Sequence, residues 1–385
     1  MFHDSQCFRF INAALCALPL AAAAAPQYSI TVLGGAGSAA LDINLSGQVV
    51  GHHVNGSGEQ RAFIHSGLAL LDLGTLGGAT SSATALNNSG QVVGVADNGD
   101  GFARAFSYAA GVMTNLGTLG GSTSRAYGIN GVGRTVGIAD FPAGVNGEYG
   151  IAFSLQGGVM QDLGTLPGSP EYWRSTAYAV NALGQVVGFS SVGDIGPTEY
   201  PSHAFLYQDG AMADLGTLGG LYSSARAIND AGLIVGMAST TLDPYNIGHT
   251  IPHAFMYVGG MMIDLGAFGG EYIGSEALDV NNLGQVVGRS GVDFVNERHA
   301  FLYQDGAMHD LNLLIDPLSG WTVTDAAAIN DLQQIAGTAC RDGQCYAVRL
   351  DRASAQVPEP GSFMLLAAGL GMLGWVSSRR RSRRF

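Results

Sequence analysis

The stretch His203 to Gly236, HAFLYQDGAMADLGTLGGLYSSARAINDAGLIVG, decides how the chain is read, because near-copies of it recur along almost all of the 385 residues. Its firmest landmark is an Asn followed seven positions later by a Gly. The pair occurs at Asn44/Gly51, Asn87/Gly94, Asn130/Gly137, Asn181/Gly188, Asn229/Gly236, Asn281/Gly288 and Asn330/Gly337. A second landmark, Ala-Phe, starts at Ala62, Ala105, Ala152, Ala204, Ala254 and Ala300, with Ala347-Val348 as a degenerate seventh, at spacings of 43 to 52 residues. Self-similar units of this period predict propeller blades or solenoid coils, since one unit cannot bury its apolar face alone and must stack on its neighbours.

Each unit reads as four short strands joined by specific turn chemistry. Ser223 to Asn229 is a strand, and Asn229-Asp230-Ala231-Gly232 returns it directly into Gly232 to Gly236. The Asn supplies an Asx-turn and the Gly three residues later takes the left-handed position. His253 to Tyr257 turns through Gly259-Gly260 into Met262 to Leu265, and Asp209-Gly210 and Asp305-Gly306 stand at equivalent turns. Four antiparallel strands per unit suit a propeller blade rather than the coil of a β-helix. The strands are rich in Ala, Val, Ile, Leu and Gly with little polar alternation, as expected of sheets covered on both faces. Tyr28 to Gly34 reads as a last strand without its partner, and Tyr346 to Leu350 as a third strand without its fourth. Joining them completes a seventh blade and removes two open edges. The expected fold is all-β: a seven-bladed β-propeller over residues 26–350, its last blade closed by the N-terminal strand.

The composition speaks to compartment. Charged residues make up 12% of the chain, about half the usual share, and all 17 basic residues are Arg. Residues 1–25 read as a secretory signal, with Arg9 in the leader, an apolar run from Ile11 and an Ala cluster ending at Ala25. Residues 26–356 keep 11 Arg against 28 acids, a net charge near −17, which excludes nucleic acid as a partner. The two Cys of this part, Cys340 and Cys345, flank Asp342-Gly343. That turn could bring their Cα atoms within the ~4.4–6.8 Å of a disulfide, which fits an oxidising compartment; the alternative is an unlinked pair. A zinc site would need two further ligands, and none is evident nearby.

The C-terminus changes character. Residues 351–361 form a linker containing Val357-Pro358-Glu359-Pro360-Gly361, residues 362–378 carry no charge, and residues 379–385 hold five Arg. Seventeen residues at ~1.5 Å each span about 25 Å, a short transmembrane helix workable with bilayer thinning and Arg snorkelling. The Arg cluster places the propeller on the outer side. Residues 357–361 with the following apolar and basic segments resemble the PEP-CTERM sorting signal. That resemblance implies a Gram-negative bacterium making extracellular polysaccharide and an exosortase that recognises Pro358, Glu359 and Pro360. It also implies an inner-membrane-anchored intermediate, followed by the cell surface or the extracellular space. The segments 203–220, 253–270 and 299–316 resemble the HAF family of extracellular repeats, with Arg61, Arg104 and Ile151 departing from its His.

In a closed propeller the loops from strand two to three and those between blades share one face. From the Gly after strand two to the next Ala-Phe the gaps hold 10, 10, 14, 15, 17, 11 and 9 residues, so length variation concentrates on that face, as binding faces do. Its aromatics and acids, Phe141, Tyr149, Tyr172, Trp173, Tyr200, Asp243, Tyr245, Tyr272, Asp293 and Phe294, suggest a glycan-binding rim in which rings stack on sugar faces and carboxylates accept hydroxyl bonds; otherwise they pack their own loops. No catalytic, cofactor or metal site is expected. His203, His253 and His299 begin third strands of different blades, too far apart to share a metal, and Asp97-Asn98-Gly99-Asp100-Gly101 lacks the pattern of an EF-hand loop. The expected function is that of an exported, non-enzymatic repeat protein that binds or builds the polysaccharide matrix. The alternatives are a protein-binding scaffold and a glycan hydrolase or lyase, the latter needing Asp243 or Asp293 about 5 to 9 Å from another acid.

Overall fold

The computed structural model describes residues 27–353 apart from 68, 143–149, 170–173, 194–200, 241–250, 271–272 and 294–296. Its organising local structure is the Asn turn. In blade 5 the Asn229 side-chain oxygen accepts the backbone amides of Ala231 at 3.0 Å and Leu233 at 2.9 Å. Gly232 completes the turn at φ +82°, where a Cβ would cost roughly 1 kcal/mol or more. In the seventh repeat Gln333 takes this conformation without being Gly. The turn occupies residues 229–233, so the second strand begins at Ile234, two residues later than expected, and continues to Ser239.

Seven such hairpins, each extended by a second one, give seven four-stranded antiparallel sheets, numbered as blades 1 to 7 by their inner strands, which begin at Ala39, Gly77, Ser124, Ser175, Ser223, Ser275 and Thr322. Blade 5 consists of Ser223–Ile228, Ile234–Ser239, Pro252–Val258 and Met261–Gly266, counted from the axis outward. The last sheet contains Thr322–Ile329, Ile335–Arg341, Gln344–Arg352 and then Tyr28–Val32. Ile30 lies opposite Leu350 and Val32 opposite Val348, so the first strand of the propeller closes its last blade as expected. Cover on both faces holds for the inner strands but not for the fourth. Ala211–Asp214 alternates around exposed positions because the rim strand meets solvent.

Both landmarks are packing constraints. A Cβ on Gly236 would lie 2.0 Å from the Ser224 carbonyl oxygen, and the other six repeats are as tight, at 1.8 to 2.1 Å. The Phe of each Ala-Phe pair, such as Phe255, is fully buried and lies opposite the same Gly on the neighbouring strand. The His that precedes Ala-Phe pins strand three to the end of strand four. His203, His253 and His299 contact Asp214, Asp264 and Asp310 at 2.8, 2.9 and 2.7 Å. In blade 1 Arg61 replaces the His, and His53 from strand two stands 3.4 Å from Asp72 instead.

The blades are stitched to one another by two polar series. Ser223 Oγ donates to the Gly216 carbonyl at 2.5 Å and accepts the Ala204 amide at 2.8 Å, joining blades 4 and 5. The second series is a closed cycle in which each turn Asn donates its side-chain amide to the backbone carbonyl of the next. Asn44 reaches Asn87, then in order Asn130, Asn181, Asn229, Asn281 and Asn330, and Asn330 returns to Asn44 at 2.9 Å. Buried amides of this kind are satisfied only when both neighbours are in place.

Cys340 and Cys345 form a disulfide across the hairpin between the second and third strands of blade 7, with Cα atoms 4.0 Å apart, nearer than the ~4.4–6.8 Å span usual for such bonds. The leader at 1–25, the Pro358-Glu359-Pro360 motif, the 362–378 span and the basic end lie outside the described residues. Among the described residues no helix is long and apolar enough to cross a membrane.

Candidate functional site: the axial channel and its wide mouth

Every inner strand carries the same irregularity. Its register skips one residue, for example between Ala126 and Gly128, Ala177 and Ala179, or Ala225 and Ala227, and the bulge redirects the skipped side chain. The seven skipped residues, Leu41, Thr84, Tyr127, Tyr178, Arg226, Leu278 and Ala327, all line one axial cavity of about 490 Å³. Four are aliphatic or small. Tyr127, Tyr178 and Arg226, on blades 3 to 5, make this sector different.

The sector is a stack extended by ions. The Tyr127 and Tyr178 rings are 5.2 Å apart, and Tyr178 and Phe189 are 6.0 Å apart. The guanidinium of Arg226 sits 4.5 Å from the Tyr178 ring and that of Arg174 sits 5.2 Å from Phe189, within cation–π range. Burial and the neighbouring Tyr178 raise the Tyr127 hydroxyl, while the charges of Arg125 and Arg226 pull it back. Arg226 continues into an ion network: it meets Glu276 at 2.7 Å, Glu276 meets Arg289 at 2.7 Å, and Arg289 meets Asp325 at 3.0 Å.

Deeper in the channel two blades carry a carboxylate where the other five carry Ala or Gly. Asp42 accepts the amides of Ile43 at 2.7 Å and of Leu86, on the next blade, at 2.8 Å, and Asp279 accepts that of Ile329 at 2.8 Å. Burial, reinforced by the charge of Asp279, pushes Asp42 up to about 8. Burial likewise pushes Asp279 up to about 6, against its backbone hydrogen bonds. Among the described residues no group of three or more His, Cys, Asp or Glu is placed to hold a metal ion.

The channel opens at the face of the variable loops. One cavity of about 450 Å³ is lined by Arg174, Thr176, Tyr178, Phe189, Ser224 and Arg226 among others. Ser224 is buried, and its Oγ has no hydrogen-bond partner. Beside it a second cavity of about 380 Å³ holds Glu276, Arg289, Asp293, Glu297 and Arg298. Of the ligand-face residues expected from sequence, Asp293 lies in this second cavity, where its carboxylate accepts the Glu297 amide at 3.3 Å. Tyr149, Tyr172, Trp173, Tyr200, Asp243, Tyr245, Tyr272 and Phe294 fall outside the described residues. Sequence reasoning missed the inner-strand set, although a signal was there: the position three before each turn Asn changes from repeat to repeat, while the residue before it is always Ala and the one after it is Ala or Gly in five repeats and Asp in two.

Fold and channel define a closed seven-bladed β-propeller, and comparisons with known proteins agree on that fold. The β-propeller domain of the Trilobed protease from Pyrococcus furiosus, described as having an open velcro topology, superposes with a TM-score of 0.54 at 8% identity, over 83% of this chain and 99% of that one. A puromycin-hydrolyzing peptidase from Mycobacterium tuberculosis gives 0.48 at 14% identity, and an acylaminoacyl peptidase from Pyrococcus horikoshii 0.49 at 10%. They match over 86% and 80% of this chain, which spans about half the length of each, 54% and 51%. The expectation of a non-enzymatic protein is corrected here: a propeller of this architecture is a domain of a chain described as a protease, so the fold gives no ground for setting an activity aside. No curated protein matches the chain in sequence. Residues 356–381 match the PEP-CTERM protein-sorting motif. That motif marks the chain as an exported protein sorted by an exosortase, passing through a membrane-anchored intermediate to the cell surface.

Proposed function

We propose that the propeller is a binding component of an extracellular polysaccharide matrix and that it takes glycan at the wide mouth of its channel. The observation that carries this reading is the Tyr127–Tyr178–Phe189 stack with Arg174 and Arg226 at its edges. Aromatic faces flanked by a few polar groups, around a cavity in the ~300–1,000 Å³ range, are what a small-ligand site requires. In this reading residues 1–25 are a removed leader and 26–350 the working domain with HAF-type repeats. Residues 351–361 hold the exosortase motif at Pro358, Glu359 and Pro360, 362–378 form a temporary membrane anchor and 379–385 a basic cytoplasmic tail. The producer is a Gram-negative bacterium. The loop residues Tyr149, Tyr172, Trp173, Tyr200, Asp243, Tyr245 and Tyr272, with Asp293, are proposed as further glycan contacts.

The test is retention of the purified chain by the exopolysaccharide of the producing bacterium. Tyr178→Ala and Trp173→Ala should each weaken retention roughly fivefold, as loss of about 1 kcal/mol of ring contact would. Lack of any retention would count against the reading. The neighbouring cavity supports a second one, a glycan hydrolase or lyase, because Glu276, Asp293 and Glu297 face one space. New reducing ends or unsaturated products from the same polysaccharide, lost in Asp293→Asn, would establish it.

A further inference from the structure

We infer that the cavity between blades 3, 4 and 5 is a subsite for a carboxylated sugar, a uronate residue of an acidic polysaccharide; this rests on the glycan reading above and gives it a ligand class. The propeller is strongly acidic, with 11 Arg against 28 acids over residues 26–356. Three of those few cations nevertheless come from the inner strands of consecutive blades or the residue leading into one: Arg125, Arg174 and Arg226. Arg226 is neutralised by Glu276. Arg125 and Arg174 are exposed, and among the described residues neither belongs to an ion pair. Solvent-facing guanidinium groups on an acidic protein would be expected to find one of the surplus carboxylates. Arg174 instead lies against Phe189 and lines the cavity, while the charge of Arg125 reaches the Tyr127 hydroxyl from the same strand.

A second, independent observation points the same way. The Ser224 hydroxyl lines this cavity, is buried and lacks a partner, and a buried hydroxyl left unpaired is costly unless a ligand group completes it. The three elements suit one chemistry. A guanidinium fork pairs with a planar carboxylate in two parallel hydrogen bonds, the Tyr178 and Phe189 rings offer apolar faces to the sugar C–H groups, and Ser224 meets a ring hydroxyl. A neutral sugar would leave Arg174 without a counter-charge. A free phosphate or sulfate would leave the rings without a partner.

The experiment is calorimetric titration of the full chain with three probes: oligogalacturonate, the same oligomers methyl-esterified, and neutral galactan oligomers. Oligogalacturonate should bind about 10- to 100-fold tighter than its ester, the value of one charge-assisted pair. Arg174→Gln, a change at an exposed position, should lower oligogalacturonate to the level of the ester and leave the ester unchanged. Ser224→Ala should weaken both by the same few-fold factor. Equal binding of acid and ester, or an Arg174→Gln effect of the same size on both, overturns the carboxylate assignment while the glycan reading stands. Absence of binding by all three probes, together with no retention on the native exopolysaccharide, overturns both.

Discussion

The closed cycle of turn asparagines allows a sharp test at the seam where the last blade meets the first. Asn330 is buried, and its side chain makes four hydrogen bonds. Its amide donates to the Asn44 carbonyl and to Gln334 Oε1, both at 2.9 Å, and its oxygen accepts the amides of Leu332 and Gln334, both at 3.0 Å. In Asn330→Ala the Asn44 carbonyl loses its donor, at about 1–3 kcal/mol for a buried orphan. The two turn amides lose about 1 kcal/mol more, since Leu332 is exposed and water can replace the acceptor. The expected cost is about 3 kcal/mol at any pH. Asn330→Asp keeps the acceptor for the turn amides but faces the Asn44 carbonyl with a second oxygen. An anion there has its folded-state pKa raised, so the deficit is largest at neutral pH and shrinks as pH falls toward the unfolded value of about 4. Urea unfolding followed by far-UV circular dichroism at pH 4.5 and 7 measures both, with Asn130→Ala as the interior control. A cost at Asn330 far below that at Asn130 would mean that blades 7 and 1 are not joined, and an Asp variant whose deficit ignores pH would refute the donor argument.

Other consequences follow from single contacts. Because Asp42 is pushed up to about 8, the folded state binds its proton more tightly than the unfolded chain, and stability falls as pH rises from about 4 to about 8. Asp42→Asn removes that loss. With channel water reaching the group, that loss should be about 2 kcal/mol, and parallel curves of Tm against pH for the two proteins would exclude it. Gly236→Ala drives a Cβ to 2.0 Å from the Ser224 carbonyl and should cost about 3 kcal/mol. Gly35→Ala, with open space around it, should change the urea midpoint little, and equal effects would contradict the packing argument. Replacing both Cys340 and Cys345 by Ser opens a short loop and should cost about 2 kcal/mol by chain entropy, read as a drop in Tm that reducing agent reproduces in the parent chain.

What the repeat made legible was local or arithmetical. The Asn turn is written within five residues, and the closing strand could be read because 28–34 and 346–350 are the missing halves of one blade. The inter-blade cycle was hidden because the same Asn side chain has a second job that appears only when blades are rotated about an axis. The His-Asp pins needed strands three and four to be in register before partners eleven residues apart could meet. The channel residues escaped because a bulge leaves no mark in hydrophobic periodicity: Tyr127 and Tyr178 look like ordinary strand aromatics until the skipped register turns them inward. The loop aromatics stand out in the sequence, but their spacing carries no geometry.

The closing strand also settles where the chain leaves the propeller. The third strand of blade 7 runs toward the Asn turns, Arg352 contacts Gln333 in one of them, and the Ala353 amide donates to the Gln27 carbonyl at 2.8 Å. Both ends therefore exit side by side on the underside, opposite the opening that holds Ser224 and Phe189. The sorting motif begins three residues after Ala353, at residue 356. The described chain thus heads for its sorting motif from the back of the wheel, and the hollow that holds Ser224 and Phe189 is left on the side away from both ends.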